Sequence, residues 1–207
     1  DKAYIYKAEN VVLPQQDAAK LSLFLDFGGT PAGTVVKVSK IYFEEALSYD
    51  DERNLWKSVD SGDAFTAVTP WFANDGWGQI EDPKWSHEGN VWELDIPAEI
   101  GTQQWQGQFP IKTTLSAAMA DSYTFSCTLV GDNDMPGVTI KLTDGADDNN
   151  FFVADRHAIT ADQTFVYKVT GVKLPVGDAA SLSLFFDFGG TPGGTHVKIS
   201  DIILIKE

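Results

Sequence analysis

The chain has 207 residues, a formal charge of −15 and a pI near 4.4. That balance argues against a nucleic-acid ligand, whose phosphates need clustered lysine and arginine, and suits a secreted or cell-surface protein kept soluble beside a neutral or weakly charged polymer. Its 43% hydrophobic content suffices for a core, yet no apolar run approaches the roughly 18 residues of a membrane span. No basic-then-apolar leader opens the sequence, so an export signal is expected outside it. The single cysteine, Cys127, excludes a disulfide within the chain and reads as a small core residue between alternating apolar neighbours.

In chain order, residues 1–46 read as three strands: Tyr4–Leu13, Leu21–Phe27 and Thr34–Phe43. The same segment returns 161 residues later. Tyr4–Phe43 aligns with Phe165–Leu204 without a gap, and 24 of 40 positions are identical. Such self-similarity marks repeated modules. Residues 1–46 are therefore expected to be the C-terminal fragment of an upstream module, and 47–207 a complete one. Three strands cannot enclose a core alone. The surface of Phe24, Leu25 and Phe27 is expected to be covered by the rest of a tandem array, or by strand exchange with a neighbouring chain.

Past an acidic junction at Glu44–Asp51, the complete module reads as short strands. They are expected at Leu55–Val59, Ala64–Pro70, Gly76–Glu81, Asn90–Ile96, Gln103–Lys112, Ser122–Val130, Gly137–Leu142, Phe151–Ala154, Thr164–Leu174, Ser181–Phe188 and His196–Ile205. Turn clusters such as Asn74-Asp-Gly76 and Asp144–Asn150 separate them. This punctuation predicts an all-β fold, a jelly-roll β-sandwich of two antiparallel sheets. The one helical candidate is a turn near Leu115–Met119. Leu182, Leu184, Phe186 and Phe188 alternate with Ser183, Phe185 and Asp187, which gives that strand a core face and a second face.

Catalytic patterns are sparse. The three histidines, His87, His157 and His196, lack the spacing of a catalytic zinc site, and no Gly-x-Ser-x-Gly or phosphate-cradling loop occurs. The acids fall mostly in turns, where they serve solubility and turn bonds. The distinctive composition is aromatic and amide, in Gly101-Thr-Gln-Gln-Trp-Gln-Gly-Gln108. With Gly107 and Phe109 facing the core, Gln106 and Gln108 fall on the other face and Trp105 lies at the strand entrance. An indole beside amides suits sugars, whose C–H bonds lie on aromatic faces and whose hydroxyls match side-chain amides. Phe151 and Phe152 cannot both face inward on a regular strand, and Phe151 is the expected outward platform, with Arg156 as a forked donor. Phe185 and Asp187 extend the same wall. Trp92, alternating with Leu94 and Ile96, reads as core. Trp71 and Trp77 flank Asn74-Asp-Gly76, either walling a groove or closing the sandwich end.

The 101–108 stretch, Phe151–Arg156 and Phe186-Asp-Phe-Gly189 resemble carbohydrate-binding modules of family 4 and the related family 22, above all the tandem copies in Bacteroidetes glycan-degrading enzymes such as family 10 xylanases. The resemblance covers 47–207 and, as a truncated copy, 1–46. It implies a non-catalytic module that binds a β-linked plant polysaccharide in an open groove, xylan first, and next β-1,3- or mixed-linkage glucan as part of a surface glycan-binding protein. It further implies an attached glycoside hydrolase in cis, an endo-β-1,4-xylanase. Trp105 matches an aromatic platform, Gln108 a polar contact, Phe151 the facing aromatic, Arg156 a polar contact, and Asp187 a groove position usually held by histidine. The resemblance also implies a structural calcium ion. Glu88 in Glu88-Gly-Asn90 and Asp201 on the last strand match its ligands, and Glu52 or Asp50 would add an oxygen. A purely structural or adhesive sandwich is the remaining reading.

Overall fold

The computed structural model describes residues 23–38 and 47–207, and the chain divides into two compact units, Asp1–Leu47 and Ser48–Glu207. The described part of the larger unit holds a short helix, α1 (Lys57–Asp60), and eleven strands. These are β1 (Phe65–Val68), β2 (Trp71–Phe72), β3 (Lys84–Glu88), β4 (Val91–Asp95), β5 (Gly107–Thr113), β6 (Tyr123–Gly131), β7 (Met135–Asp144), β8 (Phe151–Ile159), β9 (Phe165–Val172), β10 (Leu182–Asp187) and β11 (His196–Lys206). They form two antiparallel sheets. One runs β1-β5-β10-β7-β8, with β2 also on β5; the other runs β3-β4-β11-β6-β9. From β4 onward the chain changes sheet at every connection except β7 to β8, which is the jelly-roll winding.

Period-2 alternation builds the core. In the first sheet Phe109, Phe186 and Ile140 lie directly opposite one another, as do Ile111, Leu184 and Leu142. In the second, Trp92, Ile199 and Leu129 form a matching row. All nine are buried. Removing a large apolar side chain from water stabilises by about 1.5–3 kcal/mol, so these rows supply much of the favourable free energy. Cys127 lies among them, and burial pushes its thiol well above the ordinary value.

Several elements differ from the sequence reading. Leu55–Val59 is not a strand, because Trp56 and Val59, three positions apart, are both buried and a helical turn satisfies that spacing. Asn54 docks this turn on the last strand. Its amide nitrogen donates to the Ile202 and Tyr49 carbonyls, and its oxygen accepts from the Trp56 and Leu204 N–H groups. Gly76–Glu81 is a turn carrying one isolated bridge, Ala73 to Gln79. Leu115–Met119 holds no helix; Ala117 bridges to Ala179. Strand β3, where no strand is expected, pairs with β4, and its Trp85 packs against Trp92 and Phe109.

In the smaller unit, Tyr4–Leu13 and the outer ends of the other two expected strands lie outside the described residues. Residues 23–38 contain turns but no strand. The turn of the repeat is nevertheless made twice. Thr30 N–H donates to the Phe27 carbonyl as Thr191 does to Phe188, and Thr34 to Pro31 as Thr195 to Pro192. Gly29 and Gly190 take φ of 79° and 86° in it, a region favourable to glycine. The turn is thus encoded locally, whereas strand pairing needs the neighbours that β5 and β7 give β10.

Candidate functional site

The face of the first sheet turned away from the core carries an ordered set of side chains. Trp71 on β2, Gln108 on β5, Asp187 on β10, Thr139 on β7 and Arg156 on β8 sit directly opposite one another, one per strand. At about 4.8 Å per strand spacing, that row runs roughly 19 Å. Beside it lies a second row of Pro110, Phe185, Lys141 and Ala154, then a third of Lys112, Ser183, Thr143 and Phe151. An irregularity between Leu142 and Thr143 brings Phe151 onto this face. Phe151 is 39% exposed, while Phe152 packs edge-on against Tyr123 in the core.

At the Trp71 end, a 3-10 turn at Gln104–Gln106 interrupts the strand expected at Gln103–Lys112. It lifts Trp105 into a cluster of indoles. Trp105 stacks on Trp71 at 5.7 Å between ring centroids and meets Trp77 at 4.4 Å. Trp77 is 67% exposed and has φ of 67°, a costly conformation for a bulky residue that persists only where its surroundings impose it. They do so here. The Asn74 side chain accepts hydrogen bonds from the Gly76 and Gly78 N–H groups, and Asp75 accepts two from Thr102, its own pKa lowered by them. Gly189 lets the turn approach β10, since a Cβ there would stand 1.7 Å from the Gln103 carbonyl oxygen.

Gln106 requires correction. It belongs to the 3-10 turn rather than a strand, is fully buried, and its side chain is consumed by the loop. Its oxygen accepts from Gln103 N–H at 2.7 Å and its nitrogen donates to the Asn74 carbonyl at 2.6 Å. It holds the indole cluster in place and presents nothing to solvent.

Asp187, in the middle of the first row, is 6% exposed. Burial raises its pKa to about 6, opposed by the Lys141 charge, a Gln104 hydrogen bond and the Arg156 charge. Its Oδ1 and the neighbouring Thr139 hydroxyl are buried without a hydrogen-bond partner. Unmet polar atoms at one spot mark a place where a ligand hydroxyl or water completes the bonding. Arg156 lies across Gly137, where a Cβ would meet its Nε at 2.3 Å, and donates to the Gly189 carbonyl at 3.3 Å. Phe185 is half-buried, with Lys141 Nζ 5.7 Å from its ring and 5.8 Å from that of Phe151.

The residues expected to hold calcium are not assembled as a set. Glu88 lines a shallow outward patch with Ser86, Val91 and Glu93, and Glu52 is exposed in the turn before Asn54. Asp201 sits in a bulge of β11 with φ of 50°. It accepts from the Asn90 amide at 2.9 Å and the Ser200 hydroxyl at 3.1 Å. Among the described residues no three acidic, histidine or cysteine side chains are placed to share a metal ion. The contact between Asn90 and Asp201 joins two parts of the expected site.

Elsewhere, a depression of about 430 Å³ is lined by residues including Ile80, Asp82, Lys84, Asp95 and Glu99. It has no aromatic wall. Buried Asp60 accepts from the Trp92 indole, and His87 Nε2 lies within reach of both Asp60 and the Gly89 carbonyl. That group is interior architecture.

No protein-family profile and no curated protein matches the chain. Solved structures similar to the chain include a CBM4 carbohydrate-binding module, 18% identical over 68% of this chain and 86% of that one, at a TM-score of 0.49. Another is the N-terminal cellulose-binding domain of Cellulomonas fimi β-1,4-glucanase C, 13% identical over 68% and 89%, at 0.46. A third is a protein from Bacteroides thetaiotaomicron, 14% identical over 74% and 100%, at 0.49.

Proposed function

We propose that Ser48–Glu207 is a non-catalytic carbohydrate-binding module. In this reading the outer face of the β1-β5-β10-β7-β8 sheet lies along a β-linked plant polysaccharide. The observation that carries it is the Trp71–Trp105–Trp77 cluster at one end of a row of polar side chains, with Phe185 and Phe151 farther along the face. Aromatic faces take the C–H surface of sugar rings, while Gln108, Asp187, Thr139 and Arg156 meet hydroxyls. Asp187 is the carboxylate at the centre of the row, and the charge of Asp148 in the adjoining loop reaches it. Xylan is the preferred ligand, as for a module serving a secreted endo-β-1,4-xylanase in cis, with β-1,3- or mixed-linkage glucan second. A tandem copy would raise affinity through effective concentration.

Affinity gel electrophoresis against xylan, mixed-linkage glucan and laminarin tests this. At least one polysaccharide is expected to retard the chain, and Trp105→Ala to remove at least nine-tenths of the retardation. Retardation by none of them overturns the reading.

Calcium remains a proposal confined to Asn90 and Asp201, whose side-chain oxygens suit a hard cation together with backbone carbonyls. A chelator is expected to lower the melting temperature by several degrees, and an unchanged melting curve excludes a structural ion.

A further inference from the structure

The outer face of the first sheet differs in charge from the molecule that carries it. Its strand positions present Lys112, Lys141 and Arg156 against Asp187, and the charge of Asp148 in the adjoining loop also reaches Asp187, which leaves a surplus of one positive charge on a chain of net −15. Among the described residues, none of the three cations forms an ion pair. Lys141 is the best defined. Its ammonium stands over the rings of both Phe151 and Phe185, which fix its position and hold it on the binding face. Arg156 makes a single hydrogen bond, to the Gly189 carbonyl, and keeps further N–H donors. A neutral glycan offers this ammonium hydroxyl oxygens alone. A carboxylate gains a charge-assisted bond, strengthened where the rings displace water.

We infer that this face selects β-glycans bearing carboxylates, uronic acids attached to or within the polymer, with Lys141 as the determinant and Lys112 and Arg156 as flanking charges. This rests on the glycan-binding reading and narrows its substrate class. The competing role for Lys141 and Arg156 is to offset the buried Asp187 alone. The surplus of cations on the face, and the distance of Lys112 from Asp187 by two rows, go beyond that role.

The test is calorimetric titration of the full 207-residue chain with a glucuronoxylan and with the same polymer after chemical reduction of its carboxyl groups. The quantity read is the ratio of the two affinities. At low salt the acidic polymer is expected to bind about tenfold tighter, the equivalent of roughly 1.4 kcal/mol. The ratio should shrink toward one as salt screens the charges. Lys141→Met is expected to bring the ratio below about threefold, and Lys141→Arg to restore it. Equal affinities in the parent, or a Lys141→Met ratio unchanged from the parent, overturn the inference while leaving glycan binding standing. Binding to neither polymer overturns both.

Discussion

Asp187 is a buried carboxyl in the middle of the outer face of the first sheet. Its carboxyl is raised from 3.8 to about 6, chiefly by burial and against the pull of Lys141, Gln104 and Arg156. The folded state therefore holds the proton more tightly than the unfolded chain, and stability is lost as pH rises from about 4 through 6. For a rise of this size the loss is about 3 kcal/mol at most. In Asp187→Asn the pH dependence is expected to be flatter by up to that amount between pH 4 and 7, as read from denaturant unfolding. Parallel profiles in parent and variant would show that Asp187 is not held in this state. A group kept at such cost, with an unmet oxygen beside the unmet Thr139 hydroxyl, fits the ligand contact proposed for this face. Sequence parity placed Asp187, Phe185 and Gln108 on the outer face. It could not show that Asp187 is buried there, because burial comes from the 3-10 turn, the loop side chains and the neighbouring strands.

At the scale of elements, the Gln104–Gln106 turn organises the site. Read as a regular strand, Gln106 pairs with Gln108 on one face; the turn instead rotates Gln106 inward and raises Trp105 onto Trp71 and Trp77. The signal was partly legible in Gly101, Gly107 and Gly189, each crowded by a loop atom or side chain that a Cβ would strike. Yet which backbone approaches which glycine is a tertiary fact. Gly189→Ala is expected to destabilise by about 3 kcal/mol or more, because the obstacle is backbone rather than a flexible side chain, and to weaken glycan retardation as Trp105 shifts. Wild-type stability and retardation in that variant would contradict the packing described. The Leu55–Val59 segment was misread for a related reason. Trp56 and Val59 fit a helical turn only once Asn54 is bound to β11, 150 residues away in sequence.

For the whole molecule, alternation made the sandwich legible. Leu182, Leu184 and Phe186 announced a buried face, and the opposite sheet supplied its partner in Val197, Ile199 and Leu204. The same Gly-Gly-Thr-Pro turn forms in both copies of the repeated segment. What alternation cannot give is which of two outer faces binds. The faces separate by content: one carries Phe185, Phe151 and unpaired cations beside the indole cluster, and the other presents Ser86, Glu88, Glu93 and Lys198. The central claim is therefore that the face led by Trp71, Trp105 and Trp77 holds the polysaccharide. The most direct measurement is affinity electrophoresis of the parent and Trp105→Ala against xylan, mixed-linkage glucan and laminarin, with melting curves to show that the variant is folded. The account predicts retardation of the parent by at least one polymer and its near-complete loss in a folded Trp105→Ala. A folded Trp105→Ala retarded as strongly as the parent would contradict it.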